Sequence, residues 1–84
     1  MSDLENIVYY RDDLDRILDM ANDYKNGYSV DDNFNLVVST LTSYRDLMNL
    51  MISDEETRNN YDFDGWWELN VFNTLEELRD YFEF

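Results

Sequence analysis

Any chemistry in this chain has to come from carboxylates. Asp12, Asp15, Asp19 and Asp23 follow one another at steps of three and four, and Glu76, Asp80 and Glu83 repeat that spacing near the other end. Histidine and cysteine are absent, which removes disulfides, thiolate nucleophiles and the usual zinc ligands. Paired carboxylates can hydrolyse glycosides, but a domain of 84 residues with its acids on exposed helix faces leaves little room for a substrate cleft. Asn60-x-Asp62-x-Asp64-Gly65 matches the first six positions of an EF-hand calcium loop, with Glu68 at the ninth. The twelfth position, where calcium requires a bidentate glutamate, is Val71, so the stretch reads as turn chemistry. Gly27 and Gly65 are the only glycines, too few for a phosphate-cradling loop. The expectation is a protein that is not an enzyme and needs neither cofactor nor metal.

A row of acids on one helix has a different use. At 1.5 Å rise per residue, neighbouring carboxylates spaced three or four apart stand roughly 4.5–6 Å apart along the axis, and a nucleic-acid strand carries a phosphate every ~3.4 Å. Such a row presents a comparable linear charge to a basic groove. The row also has a cost, since like charges at i,i+4 destabilise a helix by about 0.2–0.5 kcal/mol per pair. Its plainer reading is a solvated face that Arg16 partly neutralises. The chain as a whole carries 20 acids against 6 bases, a net charge of −14. Solubility asks for only about 2–8 charges in a small domain. An excess of this sign repels phosphate, so neither nucleic acid itself nor an anionic membrane is an expected partner. Lys25 is the single lysine and Ala21 the single alanine in a chain rich in asparagine and tyrosine. That pattern points to depletion of positive charge.

The elements that must position these rows follow from the apolar spacing. A first helix is expected from Ser2 to Tyr24, burying Leu4, Ile7, Leu14, Leu18 and Ala21, with Ser2 or Asp3 as N-cap and Glu5 closing a capping box. Arg11 falls within its apolar face and is expected to snorkel or to pair with a carboxylate from another segment. Asn26-Gly27 suits a left-handed stop. The central element is a helix from Asn33 to Ser53, capped by Ser29 with Asp32 in the box position. Phe34, Val37, Leu41, Tyr44, Met48 and Met51 form its inner stripe, and its only charges, Arg45 and Asp46, cancel. So short a connection makes the two helices antiparallel. Ser53-Asp54-Glu55-Glu56 opens a short third helix reaching about Asn59.

The tail admits two periods. Asp64-Gly65 is a type I′ turn signal, and Trp67, Leu69 and Val71 alternate with Trp66, Glu68 and Asn70 as on a half-buried strand. Trp67, Val71, Leu75, Leu78 and Phe82 are also spaced for a helix. Asn73-Thr74-Leu75-Glu76 looks like a fresh N-cap, which favours a short β-hairpin followed by a helix from Thr74 to Phe82. The expected fold is therefore one domain, residues 1–84, mainly α with a small β component (α+β). It consists of an antiparallel helical hairpin, a short third helix, a β-hairpin near Asp64-Gly65 and a C-terminal helix. Trp66 and Trp67, among 14 aromatic residues, are either partner anchors or filling for a core with almost no alanine.

In character, this strongly acidic chain, free of histidine and cysteine and with acidic rows on helices and interleaved aromatics, resembles the small anti-defence proteins of phages and mobile elements. These include DNA-mimicking anti-restriction proteins and some anti-CRISPR inhibitors. The likeness covers the whole chain without matching a motif, so no residue roles carry over. It implies an inhibitor that occupies the basic channel of a nucleic-acid-binding protein, such as a nuclease or another defence effector. The partner-binding candidates remain those read from the residues: Asp12, Asp15, Asp19, Asp23, Trp66, Trp67, Glu76, Asp80 and Glu83. The competing class is an immunity- or antitoxin-like helical module, or a homodimer through the central helix. High internal salt is a third origin for the acidity. Neither a signal peptide nor an apolar run of about 18 residues is present, so the expected location is the cytoplasm. Screening should relieve the repulsion among the acids. The melting temperature is expected to rise between very low and moderate salt, and a flat or falling curve would show that attractive pairs dominate.

Overall fold

The computed structural model describes residues 3–82, with side chains from Leu4. Helix α1 (Asp3–Gly27) and helix α2 (Asp32–Ser53) form the expected hairpin, and α3 (Glu55–Asn59) is a short turn of helix after it. Then α4 (Phe63–Trp66) runs directly into a π-helical segment (Trp67–Phe72) and on into α5 (Asn73–Phe82), a continuous C-terminal helix. Contacts fix the directions. Arg11 reaches Asn49 and Tyr24 packs on Phe34, so α1 and α2 are antiparallel. Trp66 meets Tyr44 and Tyr81 meets Phe34, so the C-terminal helix is antiparallel to α2 as well. Tyr10 against Trp67 and Tyr24 against Phe82 then make α1 and the C-terminal helix parallel neighbours. The result is an up-down-up bundle of 41 × 20 × 18 Å with α2 as the shared wall.

The core follows the inner stripes. Ile7, Leu14, Leu18 and Ala21 come from α1, and Phe34, Val37, Leu41, Met48 and Met51 from α2. Phe63, Val71 and Leu78 come from the C-terminal helix. No polar or charged residue is buried among those described, as expected where no partner inside could repay a lost hydration shell. Leu4, expected inside, is instead exposed in the first turn of α1. Aromatic rings close the bundle at both ends. Tyr10, Phe63, Trp66 and Trp67 cluster at one, and Tyr24, Phe34, Tyr81 and Phe82 at the other. Large rings thus do the filling that a chain with one alanine cannot do with small residues.

The β-hairpin expected at Asp64-Gly65 is not there. These residues lie in α4, no glycine has positive φ, and no strand occurs among the described residues. The helical reading of the tail wins because it places Phe63, Val71 and Leu78 in the core together, whereas a strand would have turned half of the apolar residues to water. One detail of that spacing explains the π segment. Phe63, Trp67, Val71 and Leu75 are separated by three successive steps of four, and each overshoots a 3.6-residue turn by about 40°. A wider turn absorbs the drift. Side chains serve the carbonyls there: Asn70 Nδ2 donates to Trp66 O, Asn73 Nδ2 to Leu69 O and Thr74 Oγ1 to Asn70 O. Asn73 and Thr74, expected to open a new helix, therefore act within a continuous one.

Caps also shift by a residue or two. The N-cap of α2 is Asp31, whose Oδ1 accepts from Phe34 N at 2.8 Å and from the Tyr81 hydroxyl at 3.2 Å. Tyr81 Oη also accepts from Asn33 Nδ2, so the cap of α2 ties down the end of α5. Asp54, one residue after the expected Ser53, caps α3 through Glu56 N and Thr57 Oγ1. Arg58 turns back and donates to the carbonyls of Met51 and Ile52, satisfying orphan acceptors at the end of α2. The expected cap at Ser2 lies outside the described residues.

Gly27 is the last residue of α1 rather than a left-handed stop, and a Cβ there would meet nothing within 4 Å. Gly27→Ala is therefore expected to stabilise the fold by about 0.4–1 kcal/mol, by restricting the unfolded chain. Urea denaturation measures this, and a destabilised variant would mean that the residue needs glycine's freedom after all.

Candidate interaction surface

The acidic row on α1 divides into two parts. Asp15 is drawn into the seam with α2, where Arg45 Nη1 meets its Oδ1 at 3.2 Å and Arg11 Nε lies 3.7 Å from its Oδ2. Arg11 also pairs with Asp12 at 3.0 Å and donates to Asn49 Oδ1 at 2.7 Å. Its acidic partners thus come from its own helix, and α2 contributes an amide rather than the carboxylate expected from another segment. The interhelical ion pair runs the other way, from Arg45 of α2 to Asp15 of α1. Asp19 and Asp23 are exposed and form no ion pair among the described residues. Arg16 bonds Asp13 at 2.6 Å and so lies beside the row without neutralising it.

The C-terminal acids show a similar division. Glu76 is half-buried and bonded to Arg79 at 2.9 Å, Asp80 is exposed and unpaired among the described residues, and Glu83 lies outside them. Every arginine is engaged: Arg11, Arg16, Arg45, Arg58 and Arg79 each sit within 4.0 Å of a carboxylate. Lys25 is left as the one described cation without an ion pair. The surface that a partner meets is therefore strongly anionic, with Arg16, Lys25 and Arg79 as its exposed cations among the described residues. No set of three or more acidic side chains converges as a metal site would among the described residues.

Trp66 and Trp67 do not stand out from the surface as free anchors. Adjacent residues on a helix are separated by about 100°, so both can face the inner half, which a strand would have forbidden. Trp67 packs on Tyr10 with centroids 4.7 Å apart and on Phe63 at 6.0 Å. Trp66 lies edge-on to Tyr44 at 5.7 Å and against Phe63. Both are half-buried.

One surface went unseen in the sequence. Between α1 and the C-terminal helix, on the side away from α2, runs a groove of two adjoining hollows of about 230 and 610 Å³. Both hollows share Ile17, Phe72 and Leu75, and Met20 and Phe72 stand 55% and 47% exposed along the walls. The available signal was that Met20 and Phe72 are large apolar residues off the core stripes. On α2, Leu36 and Leu50 are likewise exposed, on a helix whose charges are Asp32, Arg45 and Asp46 alone. No helix among the described residues is long and apolar enough to cross a membrane.

No protein-family model, curated protein or solved structure matches the chain.

Packing assigns the tryptophans a cost in stability. Trp66→Ala and Trp67→Ala are each expected to destabilise the fold by about 2–4 kcal/mol, somewhat below the value for a fully buried ring. Urea unfolding decides the matter. A change within about 0.5 kcal/mol would mark the ring as surface decoration free to serve a partner.

Proposed function

We propose that this chain is a non-catalytic acidic binding protein that inhibits a nucleic-acid-binding protein by occupying its basic groove, as a nucleic-acid mimic of the anti-restriction or anti-CRISPR kind, acting in the cytoplasm. One observation supports the reading: the arginines are spent on ion pairs, while Asp19, Asp23 and Asp80 face solvent without an ion-pair partner among the described residues. A basic channel that binds phosphates releases counterions when they are neutralised, and carboxylates held on a helix draw on the same term. Binding of this kind needs no cleft and no catalytic group. The second reading, a homodimeric module through α2, is favoured by the exposure of Leu36 and Leu50 on a charge-poor helix.

Pairing refines the choice of residues. Asp15 holds Arg45, so replacing it confounds binding with the helix seam. Asp12 holds Arg11, which also reaches across that seam to Asn49, so the test set is Asp19, Asp23 and Asp80, changed together to asparagine. After capture of a partner from cell lysate, duplex DNA is expected to displace it, and its affinity should fall steeply with salt. The triple variant should keep its melting temperature while losing about 1–3 kcal/mol of binding, at a few tenths to 1 kcal/mol per rim charge. A partner indifferent to DNA and salt, or one that binds the triple variant with unchanged affinity, would sink the mimic reading. A concentration-dependent dimer abolished by Leu36→Lys with Leu50→Lys would put the second reading in its place.

A further inference from the structure

We propose that the groove between α1 and the C-terminal helix receives an amphipathic helix of a partner protein, apolar on one side and basic along its flanks. The inference goes beyond the mimic reading, since it rests on apolar contact, and it stands or falls separately. Its floor is apolar, with Ile17 on one side and Leu75 on the other above the buried Leu78. Its walls include Met20 of α1 and Phe72 of the π segment, both about half exposed. From Tyr10 to Met20 the wall on α1 runs ~15 Å, enough for nearly three turns of a docked helix.

The kind of occupant follows from what lines the groove. Both walls are helices whose backbone groups bond within their own helix. An extended peptide would lose water from its N–H and C=O groups and find no ladder to join. A helix arrives with those groups satisfied and can seat its side-chain ridges between those of two parallel helices, completing a four-helix arrangement. Charge then selects the flanks. Asp13, Asp64, Glu68 and Glu76 line the groove, Asp13 bonded to Arg16 and Glu76 to Arg79. Asp64 and Glu68, both exposed, have no ion pair among the described residues. Lysines or arginines beside the apolar stripe of the incoming helix would meet these carboxylates at the Trp67 end. A second copy of this chain is disfavoured by the same charges, because it would set one acidic rim against another at a net charge of −14 each.

The test uses two synthetic peptides of equal composition and charge. One, of about 14 residues, carries leucine at i, i+3, i+4 and i+7 with lysine elsewhere, and the other has the same residues scrambled so that no apolar face forms. Titrations into the full chain are read by tryptophan fluorescence, because Trp67 lines the groove. The amphipathic peptide is expected to bind at least tenfold more tightly than the scrambled one. Met20→Ser with Phe72→Ser should remove most of that preference and leave the scrambled peptide's binding unchanged. Leu36→Ser with Leu50→Ser, on the outer side of α2, should leave both untouched. Circular dichroism checks that each variant is folded, and if the groove variant is not, the ratio on the parent chain decides alone. Equal binding of the two peptides would overturn the proposal, as would a groove variant that keeps the preference or an α2 variant that loses it. So would a dimer, seen by sedimentation, that the groove variant dissolves, for then the occupant is a second copy. Because the peptides carry equal charge, their ratio is blind to the acidic rows, and either proposal can fail without the other.

Discussion

Everything in this bundle depends on keeping charge away from one helix. With 20 acids and 6 bases, most surfaces of the chain cannot be brought together without pressing carboxylate against carboxylate. Helix α2 escapes this, carrying only Asp32 at its first turn and the Arg45–Asp46 pair. It can therefore be the wall on which both other long helices lie, and antiparallel to each. Among the described residues, α1 brings carboxylates to that wall at the Asp12–Asp15 turn, and there Arg11 and Arg45 stand between the helices. Arg45 Nε is buried without a hydrogen-bond partner among the described residues, so the seam is held at some cost in hydrogen bonding.

From that constraint follows the way positive charge is used. Each arginine is placed where the fold needs it: two in the α1–α2 seam, one on the carbonyls at the end of α2, and two bonded three residues back along their own helices. Only Arg16 and Arg79 stand largely exposed, and each is paired with a carboxylate of its own helix. A surface composed this way has reach toward basic partners and little of its own to offer an acidic one. The apolar groove supplies what a field alone lacks, a place with shape.

How much of this could be read from the residues divides along physical lines. The hairpin of α1 and α2 was legible because its apolar stripes repeat over many turns, and the short α3 because Ser53 and the acids after it announce a cap, one residue before the Asp54 that makes it. The tail misled because Asp64-Gly65 carries the composition of a tight turn, and two adjacent tryptophans look natural on a strand. Burial of Phe63 and Val71 overrode local preference. The π segment was hidden in three consecutive steps of four, a pattern that looks like ordinary helix until the drift is summed. The acidic row was placed correctly on one helix, but its split was not foreseeable. Asp15 differs from Asp19 in having Arg11 one turn before it on the same helix and Arg45 opposite, and the second of these is a fact of tertiary geometry. The groove was invisible for a related reason, since Met20 and Phe72 acquire meaning only once α1 and the C-terminal helix lie parallel.

The widened turn at Trp67–Phe72 has a consequence for how such a chain can change over generations. It holds one residue more than an α-helical path between the same two ends would need. Loss of a residue there would let the turn relax to ordinary α-helix while Phe63 and Leu78 kept their places in the core. Elsewhere in the same helix, a lost residue would swing everything beyond it by about 100° and carry Leu78 out of the interior. The segment is thus a point of slack in an otherwise rigid reading frame of side chains. It is where a deletion is most easily absorbed, and it lies directly on the wall of the groove.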